Sequence, residues 1–219
     1  MKKIIIVGAG GHAAEVVDYL NFINAMPSID ANQKWEVLGL IDDNIANFHL
    51  YSYDYPFLGD IKAHEVNHEV DYLIAVANIK FRRLIVESLL AKGAKFCTLI
   101  HPTAIVSPTA KIGLGNVISH NVSIGPKVEI GNFNLINSRC TLGHDTKLEN
   151  YNFLSPQTVT GGGTEIGNNN FFGTNVAILP RTTVGNNNTI SAGMVVDKSI
   201  HDDSTFFHRF KEKVLVISS

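Results

Sequence analysis

A chain of 219 residues suits one large domain or two small ones, and 45% hydrophobic with 17% charged is the composition of an ordinary soluble globular protein. A net charge of −2 leaves no basic footprint for nucleic acid. The opening Met1-Lys2-Lys3 and four apolar residues are too short for a signal segment, and no run of about 18 apolar residues offers a membrane span. The expectation is a cytoplasmic protein without membrane insertion, its two cysteines, Cys97 and Cys140, suited to a reducing compartment.

The first 97 residues alternate strand and helix. Lys3 to Val7 reads as a buried strand, Gly8-Ala9-Gly10-Gly11-His12 as a tight turn, and Ala13 to Asn24 as a helix with Val16, Val17 and Leu20 inward. Trp35 to Ile41 makes a second strand that ends at Asp42-Asp43. Tyr72 to Ala77 makes a third, feeding Asn78 and a helix over Arg82 to Lys92 that carries Leu84, Ile85, Ser88 and Leu89; Phe96 to Leu99 closes the unit.

A small open parallel sheet binds ligands at the carboxyl ends of its strands, where Gly10, Gly11, His12, Asp42 and Asp43 fall. Gly8-x-Gly10-x-x-Ala13 nearly matches the dinucleotide fingerprint, with Asp42 in the place of a ribose-binding acid. A helix start behind a glycine turn attracts any diphosphate, and about four strands fall short of two complete halves, so a nucleotide sugar fits as well as NAD. His12 reads equally as a helix-start residue or a ligand contact. His64-Glu65-Val66-Asn67-His68 has the H-E-x-x-H spacing but no long buried helix and no third ligand; it reads as a solvated short helix, and no metal is expected.

From Ile100 to Val196 an apolar residue recurs every sixth position, with Thr160 the one break, and glycine often follows it. A period of six matches neither a helix nor a useful alternating strand. It fits a β-helix in which three hexads make a triangular coil of 18 residues, so that each inward residue stacks on the one 18 earlier at about 4.8 Å. No hexad carries an insertion, so any site must come from turn residues. His144 and Asp145 fall at a turn, and Gly162, 18 residues on and flanked by Gly161 and Gly163, lies one coil above the imidazole. Bare backbone there lets a ligand approach N–H groups that polarise a carbonyl, and a base beside it makes an acyl-transfer site. The other reading is that His144 bonds a neighbouring coil and the glycines only make turns.

These motifs together, Gly8 to Ala13, Leu40-Ile41-Asp42-Asp43, Leu99 to Ala104, Ile136-Asn137, His144-Asp145 and the trailing hexads, resemble the left-handed β-helix acyltransferases with an N-terminal Rossmann-like domain. That group contains sialic acid O-acetyltransferases and nucleotide-aminosugar N-acetyltransferases of surface-polysaccharide biosynthesis. The resemblance implies a nucleotide-binding domain over 1–97, a β-helix over 98–197 and a capping tail over 198–219. It also implies a homotrimer with acetyl-CoA lying along the groove between coils. His144 would be the general base and Asp145 its orienting partner, while His12, Asp42 and Asn78 would grip the nucleotide and Asn137 the sugar or base. Gly162, Gly173 and Thr174 would meet CoA.

Two departures stand out. Where some relatives carry a second histidine against the acetyl group this chain has Phe153, which implies a more apolar thioester pocket. The tail Phe206 to Lys213 replaces the usual ending and is expected to cap the open coil or meet CoA phosphates, and the link from Phe22 to Gln33 is long enough to reshape the nucleotide pocket. The function expected is N-acetylation of a nucleotide-activated amino-deoxy sugar. The rivals are O-acetylation of sialic acid, an NAD-dependent oxidoreductase and a non-catalytic nucleotide-binding assembly protein.

Overall fold

The structure is a computed structural model that describes residues 1–207. Its N-terminal part runs β1 (Lys2–Val7), α1 (Gly11–Ala25), β2 (Trp35–Ile41), α2 (Ile45–Tyr51), β3 (Asp71–Ile74), α3 (Ile79–Ala91) and β4 (Lys95–Phe96). The four strands form one parallel sheet in the order β2-β1-β3-β4. The third strand stops at Ile74, short of the Ala77 expected, because the chain turns there against the first loop. Gly8 sits at φ +108°, and a methyl on it would lie 3.0 Å from Ala75 O and Val76 Cγ2, so only glycine lets the turn tuck against the end of β3.

Helix α1 buries Ala13, Val16, Val17, Leu20 and Ile23, a stripe at helical spacing. Helix α3 differs from expectation: it starts at Ile79 and buries Arg82, Val86 and Leu89, while Leu84 is 64% exposed. Residues 64–68 form no helix. His64 Nε2 pairs with Tyr72 Oη at 2.8 Å and His68 Nδ1 lies 3.4 Å from Gly93 O, so the two rings take separate structural partners. The C-terminal end of α1 is itself anchored, since Phe22 stacks on His101 at 5.1 Å and Asn24 exchanges two 2.8 Å bonds with the Trp35 backbone. It braces the junction with the second part of the chain.

From Leu99 the chain winds into a parallel β-helix whose two-residue strands form three sheets of seven, six and five strands. Partners are 18 residues apart: Leu135 faces Phe153, Thr141 faces Val159, and Lys147 faces Glu165. Ile118 through Val196 fill the core at the inward positions, but Ile100, at the bottom, is 39% exposed because no coil lies beneath it. Thr160, the polar break, is buried and accepts Gly143 N–H at 3.2 Å while its hydroxyl meets Thr146 Oγ1 at 3.1 Å.

One corner carries two asparagine ladders. The N–H groups of Asn134, Asn152, Asn170 and Asn188 each bond the Oδ1 of the asparagine 18 earlier, at 2.8–2.9 Å. Those of Asn132, Asn150 and Asn168 each bond the Oδ1 of the asparagine 18 later, at 2.8–3.0 Å. The first ladder satisfies buried turn amides coil by coil, and the second does the same nearer the surface. Beyond Val196 the offset changes, Thr189 pairing with Thr205, so the last coil is two residues short. Phe206 packs on the core end and Phe207 is exposed; His208 to Lys213 of the expected cap lie outside the described residues.

The three faces differ. Leu99, Val117 and Leu135 on the seven-stranded face are buried under the α1 side of the N-terminal sheet, and Phe133 joins the α3 side. The five-stranded face carries ion pairs, Lys111 with Glu129 at 2.8 Å and Lys147 with Glu165 at 2.9 Å. The six-stranded face is uncharged and open, with Ile105 73% exposed and Val159 and Val195 also at the surface.

Candidate active site

The first half of the site is the glycine turn. Gly10 caps α1 without a side-chain bond, which leaves the first helix amides open to an anion. Tyr53 Oη bridges the carbonyls of Ala9 and Gly10 at 2.9 and 3.1 Å, and its own ionisation is pushed up to about 12, mainly by burial. Asp42 Oδ2 accepts Ala9 N–H at 2.7 Å and Oδ1 accepts Asn44 N–H at 2.8 Å, so this carboxylate fixes the turn from the end of β2. Gly11 is packed under Tyr51, whose Oη would lie 2.8 Å from a methyl at that position.

His12 stands 3.3 Å from Glu15 Oε2 through Nδ1, while its Nε2 is buried without a partner. Burial, the largest cause, lowers its pKa below the usual imidazole value, which favours the neutral ring. Beside the turn opens a cleft of about 650 Å³ lined by Asp42, Asp43 and Lys62 on one side and Val76, Phe81 and Leu84 on the other. Asp43 accepts Lys62 N–H at 3.1 Å and faces Lys62 Nζ at 3.6 Å. Asn78 is exposed and caps α3, its Oδ1 accepting Phe81 N–H at 3.3 Å.

The second half is the corner between the six- and five-stranded faces. Asp145 takes the left-handed turn position at φ +58°, one of the few regions where Asp is tolerated with positive φ. Its Oδ2 accepts His144 Nδ1–H at 2.7 Å, and this leaves the Nε2 lone pair free. The imidazole lies on Gly162: a methyl there would come 2.5 Å from Cε1 and Nε2. Gly162 O accepts Arg181 N–H at 3.0 Å, Gly163 N–H donates to His144 O at 2.8 Å, and Gly162 N–H has no backbone acceptor among the described residues. Buried threonines hold this corner from inside, Thr160 and Thr146 as above and Thr164 Oγ1 donating to Gly161 O at 2.7 Å. The break at Thr160 was their signal in the sequence.

Asn137 is elsewhere on the same coil. It occupies the corner between the seven- and six-stranded faces, where its Nδ2 donates to Leu154 O at 3.0 Å and its side chain is buried. Gly173 stands two coils above Asn137 at that corner, pressed under Ala192 N, with Thr174 exposed beside it. Phe153 lies on the seven-stranded face, against the N-terminal core and stacked on Phe171 at 5.2 Å. A single chain therefore keeps His144 and Asp145 at one edge of the prism and Asn137, Phe153 and the glycine turn toward another. Sequence reading missed Tyr53, Glu15 and the threonines; for Tyr53 no local signal exists.

A glycine-turn α/β domain docked on a hexapeptide-repeat β-helix with a His–Asp corner defines a class of protein, the hexapeptide-repeat sugar acetyltransferase architecture. Known proteins with that architecture are among those the chain is similar to. Residues 3–89 match the family described as PglD N-terminal domain. The chain is 33% identical over 120 residues to the UDP-N-acetylbacillosamine N-acetyltransferase of Bacillus subtilis, an alignment covering 54% of this chain and 51% of that protein, about half its length.

Among solved structures, the acetyltransferase domain of PglB from Neisseria gonorrhoeae is 28% identical with a TM-score of 0.79, covering 94% of this chain and 96% of that one. The same domain in complex with acetyl coenzyme A matches at 28% identity and TM-score 0.66, covering 93% and 95%. The fold is shared too with a perosamine N-acetyltransferase from Caulobacter crescentus, 24% identical, TM-score 0.79, covering 94% and 93%.

Proposed function

We propose that the protein transfers the acetyl group of acetyl-CoA to the amino group of a nucleotide-activated amino-deoxy sugar, with His144 as general base. The observation that carries this reading is the imidazole of His144, turned by Asp145 and laid on the bare backbone of Gly162. The named activity of the Bacillus subtilis relative and the acetyl coenzyme A bound to the PglB domain support the same chemistry.

His144 Nε2 takes the proton of the sugar ammonium-derived amine as its nitrogen attacks the thioester carbonyl. The C–N bond forms, the carbonyl electrons move onto oxygen beside Gly162 N–H, and collapse expels the CoA thiolate, which takes up a proton. Asp145 keeps Nδ1 protonated and steadies the imidazolium. The cleft at Asp42 and Asp43 receives the nucleoside, with Asn78 at the head of α3 a further contact, the Gly10–His12 amides receive its phosphates, and CoA runs along Gly162, Gly173 and Thr174.

Because one chain separates the two halves of the site, a homotrimer packed on the open six-stranded face completes it. His144 of one copy then meets Asn137, Phe153 and the glycine turn of the next. The uncharged column of Ile105, Val159 and Val195 supports that face as the interface.

The test is thiol release from acetyl-CoA with UDP-, dTDP- and GDP-linked 4-amino-6-deoxy sugars and free sialic acid, for the wild type and His144→Ala. Turnover with a nucleotide amino sugar, lost by about 10² or more in the variant with the fold intact, is the expected result. Reaction with sialic acid alone moves the assignment to O-acetylation, and undiminished turnover in His144→Ala removes the base.

A further inference from the structure

Arg82 is buried at 2% exposure yet has no ion pair among the described residues. Its guanidinium makes two long bonds, Nη1 to Val76 O and Nη2 to Asn134 O, each 3.4 Å, and its Nε has no partner. Burial pushes its pKa down to about 9, with only Tyr151 acting the other way. A buried charge left this way is costly, and two bonds at the outer limit of hydrogen-bond length repay little of the cost.

The place of this charge gives it a use. Val76, whose carbonyl takes Nη1, is the residue whose Cγ2 closes on Gly8 at the back of the glycine turn. On the other side of that turn, His12 feels the Arg82 charge, and its own Nε2 is buried without a partner. The first amides of α1 lack a side-chain cap. Arg82 and the open α1 amides therefore stand beside one turn, where the Asp42 carboxylate is already engaged by Ala9 N–H and His12 keeps its Nδ1 on Glu15. An anion arriving there would convert the cost of the buried charge into attraction, and low-dielectric surroundings make that attraction felt over several ångströms.

We propose that Arg82 is a buried counter-charge for the phosphates of the nucleotide, a positioning residue that acts through the Gly8–His12 turn. This rests on the nucleotide-sugar reading above and extends it to a residue outside the cleft. A purely structural staple between α3 and the β-helix is the competing role, and it makes the opposite forecast for stability and affinity.

The experiment measures the melting temperature and the calorimetric affinity for UDP, dTDP, GDP, inorganic pyrophosphate and CoA in the full chain, for the wild type, Arg82→Gln and Arg82→Lys. Glutamine can still donate to Val76 O but carries no charge. The expected result is that Arg82→Gln is as stable as the wild type or more so, binds the preferred nucleoside diphosphate about tenfold more weakly or worse, and binds CoA unchanged. Arg82→Lys should stay within a few-fold of wild-type affinity. Wild-type affinity in Arg82→Gln overturns the proposal, as does a lowered melting temperature with nucleotide and CoA binding reduced together, the mark of a staple. A wild type that binds none of the three nucleotides or pyrophosphate defeats the nucleotide-sugar reading itself, and the proposal with it.

Discussion

Gly162 presents its bare α-carbon to the imidazole of His144, at a distance where a methyl would sit 2.5 Å from two ring atoms. The ring is the free end of a side chain that is 69% exposed, so it can swing into solvent at small cost to the fold. Gly162→Ala should therefore lower kcat by about tenfold or more, because a misplaced base loses most of its general-base contribution. The melting temperature should move by only about 2 °C, as for other substitutions outside packed features. Steady-state kinetics beside a thermal melt checks both; an unchanged kcat would show that the ring position over Gly162 is irrelevant.

The asparagine ladder makes a separate forecast for stability. Asn152 accepts the N–H of Asn170 at 2.9 Å and donates to Gly167 O at 2.8 Å, inside a buried column. Asn152→Ala orphans both groups at about 1–3 kcal/mol for each buried group left unsatisfied. Urea unfolding should register a loss of about 2–4 kcal/mol on that scale, with thioester turnover per folded enzyme near the wild-type level. A loss below about 0.5 kcal/mol, the range of featureless surface changes, would rule out the ladder as a stabilising device.

Acid should weaken the fold before any carboxylate titrates. His12, His64 and His101 all have lowered pKa values, with burial the largest cause in each and the repulsion of His120 added at His101. A base whose folded pKa is lowered takes up its proton first in the unfolded chain. Stability is then unaffected above the unfolded value of about 6.5 and falls as the pH drops below it, until the folded rings also protonate. Melting temperatures recorded between pH 7.5 and 5 should decline steadily, and a flat profile across that window would contradict the burial of these rings.

The thiols should be silent in the native protein. Burial pushes Cys97 and Cys140 up to about 12, so almost no thiolate exists at pH 8. A disulfide reagent such as DTNB should count no fast-reacting thiol in the folded enzyme and two after denaturation. Prompt native reaction of Cys140, whose sulfur lies 3.2 Å from Ser155 O inside the coil, would refute its packing.

The β-helix was legible because stacking leaves no freedom: an inward position that fails to repeat has nothing to rest on. The same register marked the docked face, where Leu99, Val117, Leu135, Phe153 and Phe171 keep an outward position apolar every 18 residues while Lys147 and Glu165 hold the equivalent place on another face. Long-range choices were not legible. Leu84 reads as core by its type, yet Arg82 takes the inward direction, its Nη2 3.4 Å from the carbonyl of Asn134, 52 residues away. His64 reads as helical by local polarity, but it lies in irregular chain with its Nε2 paired to Tyr72 Oη. The His–Asp corner could be located from spacing alone, whereas the separation of Asn137 from it followed only once each hexad was assigned to its face.

The uniform coil also limits how such a chain can change in length. A corner recurs only after 18 residues, so inserting or deleting any smaller number beside the site would carry His144 off its edge and break the column that sets Gly162 above it. A complete coil can be added or removed at a cost confined to its two new neighbours, and it moves the proposed cosubstrate contacts at Gly173 and Thr174 by one step of about 4.8 Å. The groove is thus graduated like a ruler, and the length of ligand it holds can be altered only in whole divisions. The shortened coil after Val196 breaks the ruler only beyond Gly173 and Thr174.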